Sequence, residues 1–405
     1  MKNDIIMIRD NRKRLFEMME RVAGMTINEN LSLLPSSPPP GFTSDDFMSL
    51  DDFLKNDGAI NEYEVDDYTI SNKDDVKSVL QQRHQEYQKG IPLTRDRELP
   101  FLFGKFVEGI VDDEGNEWDL EKLRHEITKH PTQLLSKPEK MAKTNAWSVS
   151  LPATVGIIFN EKVQKFEIVI TCPKAGKCKK DCFAWKGNYI RVPDVSLHRL
   201  KMLNYVVNNW DLFEKRLLNE IESKELINTQ EGVGTLIRWH DSGDFFSEKY
   251  LLGAFEIAKK TPNVQHYAYT KSIGMISGQN IPSNFFFRYS FGGLQDKLID
   301  MVKTPYADIL YPNEFQDFIK KHKSTDTTEG GWFFHNDTDA REGLRKYVAN
   351  KYGIETKDVL YVPELEKIEY NQENPIPKWT VIVTPEDSDV GGYRRDVLGT
   401  ILLYH

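Results

Sequence analysis

Short runs of β-branched and aromatic residues alternate with amphipathic helical segments over residues 166–300, and this alternation restricts the fold more than any other feature. The strand-like runs are KFEIVIT, GTLIRWHDSG, VQHYAYTKS and FFFRYSFGG. The helix-like segments between them are SLHRLKMLNYVVNNWDLFEKRLLNEI and SEKYLLGAFEIAKK. Strands separated by helices pair in parallel, so the sequence predicts an α/β fold whose parallel βα units form a partial or complete TIM-like barrel.

Composition and periodicity divide the chain into three regions. Residues 1–70 predict an amphipathic helix and an acidic, proline-containing arm that docks on the main domain or a protein partner, or is a solvated leader. Residues 71–145 are rich in charge and predicted to be mostly helical. Residues 146–405 are predicted to form the α/β domain that carries the cysteines. It begins with strand-like SVSLPATVGIIF and closes with KWTVIVT and LGTILLYH.

Charge and hydropathy exclude several classes of protein. Lys and Arg total 53 against 62 Asp and Glu, a net charge of -9, which excludes a generally basic nucleic-acid-binding surface. No run of 18 or more apolar residues occurs, so the sequence predicts no membrane span. The first residues lack the apolar core of a signal peptide. The expected compartment is therefore the reducing cytoplasm.

The three cysteines, Cys172, Cys178 and Cys182, lie within eleven residues directly after a predicted strand. A disulfide scaffold would instead spread an even number of cysteines along the chain. Clustered thiolates suit an iron–sulfur cluster or zinc, although zinc would need a fourth ligand from elsewhere. A [4Fe-4S] cluster held by three cysteines would leave one iron open to a ligand. The sequence therefore predicts a metal centre on this loop.

Basic residues surround the cysteines and outnumber the single acid in the same stretch, Asp181. This excess suits a centre that bears several thiolates, or a phosphate-bearing partner such as nucleic acid. The basic residues are Lys174, Lys177, Lys179, Lys180, Lys186 and Arg191.

A polar turn follows the strand GTLIRWHDSG. His240, Asp241 and Asp244 could bind an amino or hydroxyl group or move a proton, so they are candidate catalytic residues. Ser242 and Gly243 would let the backbone approach a ligand closely, and they are candidate cofactor-binding residues with Asp244. The alternative is a strand-to-helix turn whose carboxylates only satisfy backbone amides.

Lys271, Arg288 and Ser290 end the next two predicted strands. Ligands of parallel α/β folds bind at the carboxyl ends of strands, so these three residues are candidate cofactor-binding residues. Ion pairing with neighbouring loops would explain Lys271 and Arg288 equally well.

These motifs together resemble the phage "gene product 88" family. The resembling segments are TCPKAGKCKKDCFAWKG (171–187), RWHDSGDFFSEKYLLGAFEIAKKTPNVQHYAYTKS (238–272) and RYSFGG (288–293). That family in turn resembles radical-SAM-like iron–sulfur proteins. The resemblance implies that the three cysteines hold a [4Fe-4S] cluster and that residues 242–244 lie near the amino group of S-adenosylmethionine. The cysteine spacing here is C-x5-C-x3-C, whereas the usual radical-SAM loop is C-x3-C-x2-C.

Three functional hypotheses follow. The leading one is a phage-encoded iron–sulfur, radical-SAM-like protein that acts on a nucleotide, a nucleic-acid base or a small metabolite. A transglycosylase-like base-modifying barrel is a second, because the run Asp241-Ser242-Gly243-Asp244-Phe245 is similar to a turn of tRNA-guanine transglycosylases. The third is a metal-stabilised, non-enzymatic phage binding or structural protein.

Overall fold

The fold is taken from a computed structural model that describes residues 48–49, 120–137, 141, 144–154, 156–162, 164–179, 182, 184, 193–311, 314, 338–371, 377–384 and 389–403. Every described residue belongs to the unit Gly41–His405. The predicted N-terminal helix, all of residues 71–119, and the acidic arm except Met48 and Ser49 lie outside the described residues.

The described residues form strands and helices in the following order along the chain. The strands are β1 (Met48–Ser49), β2 (Ala146–Val149), β3 (Gly156–Asn160), β4 (Lys165–Val169), β5 (Leu236–Trp239), β6 (Gln265–Thr270), β7 (Phe285–Ser290), β8 (Tyr306–Leu310), β9 (Val359–Tyr361), β10 (Trp379–Val383) and β11 (Val397–Leu403). The α-helices are α1 (Leu120–Ile127), α2 (Pro193–Asn208), α3 (Trp210–Gln230), α4 (Glu248–Lys260), α5 (Ile273–Ile276), α6 (Thr338–Tyr352), α7 (Val362–Leu365) and α8 (Val390–Tyr393).

An eight-stranded sheet with the order β2-β5-β6-β7-β8-β11-β10-β9 forms the centre of the fold. Every neighbouring pair in it is parallel. The predicted α/β class with parallel pairing is therefore confirmed. Strands β2 and β9 form the two edges, and no pairing joins them in the described part of the chain, so closure into a barrel is not shown.

A second, three-stranded sheet has the order β1-β4-β3 and is antiparallel. Two expectations were wrong here. KFEIVIT, expected to begin the parallel units, is β4 and pairs antiparallel with β3. The run SVSLPATVGIIF contains two strands, β2 and β3, in different sheets, because Pro152 lacks an amide for pairing and Thr154 adopts a left-handed conformation with φ 63°.

The long helix expected after the cysteines is two helices, α2 and α3, which meet at Asn209. Asn209 leaves the helical conformation with φ -133°. The preceding Asn208 donates its side-chain amide to the carbonyls of Phe159 and Asn204. Asn side chains compete with the helical backbone for hydrogen bonds, which explains why the helix is interrupted here.

The main core lies between α2, α3 and α4 and one face of β5, β6 and β7. Trp239, Phe285 and Phe287 from these strands pack in one buried cluster with Tyr250 and Phe255 of α4. Ser247 caps the N-terminus of α4, since its hydroxyl accepts from the Tyr250 amide at 3.2 Å. None of the described helices combines the length and apolar character needed to cross a bilayer.

Candidate functional site

The cysteine loop runs along the end of β7. The Gly292 carbonyl accepts from the amides of Gly176 and Cys178, each at 3.0 Å, and the Leu294 amide donates to the Lys174 carbonyl at 2.9 Å. These backbone contacts fix the loop beside the carboxyl end of a parallel strand, where α/β proteins bind their ligands.

Two consecutive glycines make this close approach possible. Gly292 has φ +89°, and a Cβ added there would lie 3.3 Å from the Cβ of Cys178. A Cβ added at Gly293 would lie 2.9 Å from the Lys174 carbonyl oxygen. Any larger side chain would therefore push the cysteine loop away from β7.

Cys172 is held by the turn that follows β2. Its amide donates to the Thr154 carbonyl at 3.2 Å, and the Thr154 amide donates to its Sγ at 3.3 Å. Burial raises the pKa of the Cys172 thiol well above its usual range, and the nearby Asp244, Cys182 and Cys178 raise it further. Cys178, Cys182 and Asp244 therefore lie within electrostatic reach of Cys172.

Asp244 joins the ends of β5 and β6 to the cysteine loop. Its amide donates to the Thr171 carbonyl at 2.9 Å, directly before Cys172. Burial raises the pKa of this carboxyl, and the hydrogen bonds it accepts oppose that rise. Its carboxylate accepts four hydrogen bonds of 2.7–3.4 Å, from the amides of Phe245 and Lys271 and the hydroxyls of Thr270 and Ser272.

His240 points away from the cysteines into the main core. Its Nε2 lies 3.0 Å from the Tyr250 hydroxyl, and its ring centroid is 4.6 Å from that of Phe245. Burial lowers the pKa of His240 to about 3, so the ring is neutral. Its backbone has φ 65°, the left-handed region, which turns the chain at the end of β5.

The next three residues of the turn hold it against α2 and against the residues after β2. Asp241 lies 3.7 Å from the guanidinium of Arg199, and the Ser242 hydroxyl donates to the Leu151 carbonyl at 2.6 Å. Gly243 has φ +85°, and a Cβ added there would lie 2.9 Å from the Cβ of Leu151. All three have their contacts within the protein, which favours the strand-to-helix turn interpretation for them.

Lys271 and Ser290 do lie beside the cysteine loop. The Lys271 ammonium donates to the Ser290 hydroxyl at 2.9 Å, and both side chains are partly exposed. A Cβ added at Gly293, against the loop, would lie 3.1 Å from the Cβ of Lys271. Lys271 therefore lies next to the glycines that contact the backbone of the cysteine loop.

Arg288 has a different environment from the one expected of a cofactor-binding residue. Its side chain is fully buried, and burial lowers its pKa to about 10. Its guanidinium donates to five backbone carbonyls within 3.5 Å, those of Tyr306, Gly392, Arg394, Val397 and Leu398. The structure therefore makes Arg288 an anchor for the segment before β11, with no donor directed to the cysteines.

Sequence reasoning missed Thr154, whose amide contacts the Cys172 sulfur. Thr154 is 18 residues from Cys172 and lies in a different connection, so no local spacing links the two. Nothing in the local sequence Pro152-Ala153-Thr154 predicts a contact with Cys172.

The thiols are candidate ligands by their chemistry. No disulfide joins them. In the described part of the chain, no group of three His, Cys, Asp or Glu side chains is already arranged around a metal position. The three cysteines are nevertheless soft sulfur donors within eleven residues of one loop, and sulfur is the ligand that iron–sulfur clusters and zinc prefer.

Fold and site together define an α/β protein with a cysteine loop at the carboxyl ends of parallel strands. The family model of Gene product 88 matches residues 120–351, which is more than half of the chain. The chain therefore belongs to the phage gene product 88 family. No curated protein and no solved structure matches it.

Proposed function

We propose that this gene product 88 protein is an iron–sulfur protein whose Cys172, Cys178 and Cys182 hold a [4Fe-4S] cluster. The observations that support the proposal are the backbone hydrogen bonds that hold Cys172 beside Thr154, after β2, and Cys178 beside Gly292, after β7, with Cys182 near enough to raise the pKa of Cys172. Such strand ends are where parallel α/β proteins bind ligands. The reducing cytoplasm of an infected host is the compartment that this proposal requires.

The electrostatics around Cys172 favour a bound cationic group. A buried thiol beside a carboxylate and two further thiols resists ionisation, because each negative charge raises the pKa of the others. Iron or zinc removes this obstacle, since a coordinated thiol loses its proton to the metal's positive charge. The basic residues of the loop sequence act in the same direction.

Three protein ligands would leave one iron of the cluster open. When bound, the cluster would supply an electron-transfer centre with one site for a substrate or for S-adenosylmethionine. The Lys271 ammonium, partly exposed and next to the loop, is placed to bind an anionic group such as a carboxylate or a phosphate. Nucleotides and charged small metabolites carry such groups, and they remain the substrate classes we propose.

We do not propose that Asp244 or Arg288 binds S-adenosylmethionine, although both were candidate cofactor-binding residues in the sequence. Their polar groups already bond to the protein on several sides, so neither is offered as a direct contact to S-adenosylmethionine. Asp244 is instead proposed as a positioning residue for Cys172, through its amide bond to the Thr171 carbonyl.

Metal analysis of anaerobically purified protein tests the proposal. We expect a brown protein with a broad absorbance near ~400 nm and about four iron and four sulfide ions per chain. Cys178→Ala should lose the colour and most of the iron, because only two thiolates remain. Ser223→Ala, a hydroxyl loss on α3, should keep both. A colourless wild type with one zinc per chain would refute the iron–sulfur assignment.

A structural zinc site is the second candidate, and one observation favours it. The cysteine loop follows β4 of the antiparallel sheet and bonds to the end of β7 in the parallel sheet, so a metal there would fasten the two sheets together. A chelator should then lower the melting temperature and release zinc in proportion.

A further inference from the structure

The outer edge of β4 is covered by a strand of only two residues. β1 pairs antiparallel with β4, with Met48 opposite Ile168 and Ser49 opposite Glu167. The other edge of β4 pairs with β3 along the whole length of β4. An unpaired strand edge offers its backbone groups to any extended segment. The sequence around β1 therefore decides what can cover this edge.

The segment that contains the start of β1 is repeated six residues later. The two copies are Asp45-Asp46-Phe47-Met48 and Asp51-Asp52-Phe53-Leu54, which share three identical residues and end in a large apolar residue. We call them the first arm repeat (residues 45–48) and the second arm repeat (residues 51–54). Met48, the last residue of the first arm repeat, is the residue that the structure places opposite Ile168. The structure therefore shows how the end of such a repeat meets β4.

The offset of six residues preserves the orientation of the side chains on a strand. Successive side chains of a strand point to opposite faces, so an even shift in register returns every residue type to the same face. With the second arm repeat in the place of the first, Leu54 would lie opposite Ile168, as Met48 does. The edge of β4 can therefore accept either repeat with equivalent side chains on each face.

The order of acids and phenylalanine in the repeats matches the two faces at the end of β4. Val169 is 1% exposed and belongs to the main core, whereas Ile170 is 41% exposed. If the register of β1 continues, the phenylalanine of a docked repeat lies opposite Val169 and the preceding aspartate opposite Ile170. Directly opposed residues of an antiparallel pair share a face. The aromatic ring would therefore lie on the buried face and the carboxylate on the exposed one.

The charges on the two sides favour the same orientation. Antiparallel pairing directs the aspartates of a docked repeat toward the carboxyl end of β4, where the cysteine loop begins. Residues 45–54 contain four aspartates and no lysine or arginine. Residues 172–187 contain one acid, Asp181, against five lysines, which are Lys174, Lys177, Lys179, Lys180 and Lys186. A segment that leads with two acids is therefore complementary to this end of the edge.

We propose that the second arm repeat, residues 51–54, is an alternative occupant of the β4 edge and exchanges there with the first. The edge is then a docking surface for an extended segment in which two acids precede an aromatic and an apolar residue. Either repeat keeps β4 covered when the other one leaves. The exchange changes only backbone hydrogen bonds and side-chain packing, and it does not depend on what the cysteines bind.

Hydrogen exchange at the backbone amides of residues 165–170 tests the proposal on the full chain. Met48→Pro/Ser49→Pro disables the first repeat, because neighbouring amides of a strand point to opposite sides and one of the two must face β4. Leu54→Pro/Lys55→Pro disables the second repeat in the same way. Each variant alone should speed exchange by no more than about twofold, since the other repeat still covers the edge. The two together should speed it by about tenfold or more.

Two controls separate loss of the arm from other effects. Asn61→Pro/Glu62→Pro places a proline pair in the arm outside both repeats and should leave exchange unchanged. Exchange at β6, in the parallel sheet, should stay at the wild-type rate in every variant. Exchange as fast in Met48→Pro/Ser49→Pro alone as in the combined variant would overturn the proposal. A combined variant that exchanges as slowly as wild type would overturn it as well.

A fluorescein-labelled peptide with the sequence of residues 49–58 tests docking of the second repeat in trans. By fluorescence anisotropy it should bind the combined variant more tightly than wild type, whose own arm competes for the edge, and more weakly as salt rises. The matched control peptide exchanges Asp52 and Phe53, which keeps composition and charge but turns the phenylalanine to the exposed face. It should bind about tenfold more weakly, the scale of one aromatic side chain left unburied. Equal binding of the two peptides, or no binding of the first to the combined variant, would contradict the proposal.

Discussion

His266 shows how a single buried residue is fixed in one protonation state. Its Nδ1 lies 3.1 Å from the Trp239 indole nitrogen, and its Nε2 lies 2.8 Å from the Thr261 hydroxyl. An indole N–H can only donate, so Nδ1 must be the acceptor and Nε2 carries the proton. Burial lowers the pKa of His266 to about 3. The surrounding core therefore requires a neutral ring.

Because the folded His266 ring stays neutral, the free energy of unfolding depends on pH. An unfolded histidine has a pKa near 6.5, so between 6.5 and about 3 the unfolded chain binds a proton that the folded His266 does not. The free energy of unfolding should therefore fall as the pH drops below 6.5, by about 1.4 kcal/mol per pH unit for each such histidine. Urea unfolding at pH 7.0, 6.0 and 5.0 measures this slope.

Variants identify the histidine responsible. His266→Gln should be less stable at pH 7 but should have a slope smaller than that of wild type by about one proton. His125→Gln is the control, because His125 is exposed on α1 and its loss should leave the slope unchanged. Equal slopes for wild type and His266→Gln would contradict the assignment.

Asp244 shows how one side chain joins several elements. Its carboxylate accepts from the Thr270 hydroxyl and the Lys271 amide at the end of β6, while its own amide reaches the residue before Cys172. An acceptor with two oxygens satisfies all these donors at once. The positions of the β5 end, the β6 end and the cysteine loop therefore depend on the same carboxylate.

Asp244→Asn should be costly despite its nearly unchanged shape. The amide group that replaces one oxygen would point N–H bonds at donors, leaving a buried amide or hydroxyl unpaired. The expected loss is about 2–3 kcal/mol of unfolding free energy, the scale of an unsatisfied buried group. Asp300→Asn, at an exposed carboxylate, should change stability by less than about 0.5 kcal/mol.

The same variant should disturb the cysteine loop specifically. Iron retained per chain should fall in Asp244→Asn below the value for Asp300→Asn when both are folded. A fully loaded and fully stable Asp244→Asn protein would show that the carboxylate does not position Cys172.

At the scale of the whole molecule, the segment before β11 covers the second face of β5, β6 and β7. Arg288 of β7 binds five of its neighbouring carbonyls, four of them within residues 392–398. Asp389 accepts from the hydroxyls of Tyr267 and Tyr269 at 2.7 and 3.0 Å and from Arg238 at 3.0 Å. The two halves of the sheet are thereby tied together across that face.

Arg288→Met should remove most of this connection while keeping the length of the side chain. Buried carbonyls would lose their donors, so the unfolding free energy should fall by about 3–5 kcal/mol, as when one partner of a buried charged contact is removed. Arg395→Met is the matched control, since Arg395 donates to the exposed Ser283 carbonyl and lies 5.9 Å from the ring centroid of Phe286, and its loss should cost less than about 1 kcal/mol. Equal losses in both variants, measured by urea unfolding, would refute the anchoring role.

The local pattern of the sequence was sufficient for β5, β6, β7 and the α4 N-cap. Each is encoded within a few residues, by aromatic and β-branched runs and by Ser247 at the helix start. The parallel pairing followed from the helix between β5 and β6. The same reasoning placed Lys271 and Ser290 at strand ends of one parallel sheet, whereas Cys172 follows β4 of the antiparallel sheet.

Tertiary contacts decided what the local pattern left open. KFEIVIT has the composition of either kind of strand, and only its pairing with β3 makes it antiparallel. His240 and Arg288 look like functional strand-end residues in the sequence, yet Tyr250 and the carbonyls before β11 hold them inside the fold. Sequence by itself determined β5, β6, β7 and α4, because these elements depend on near neighbours. The environment of a polar side chain such as Arg288 was decided by the tertiary structure. Its partners, the carbonyls of Arg394 and Val397, are more than 100 residues away in the sequence, and such contacts exist only once the chain has folded.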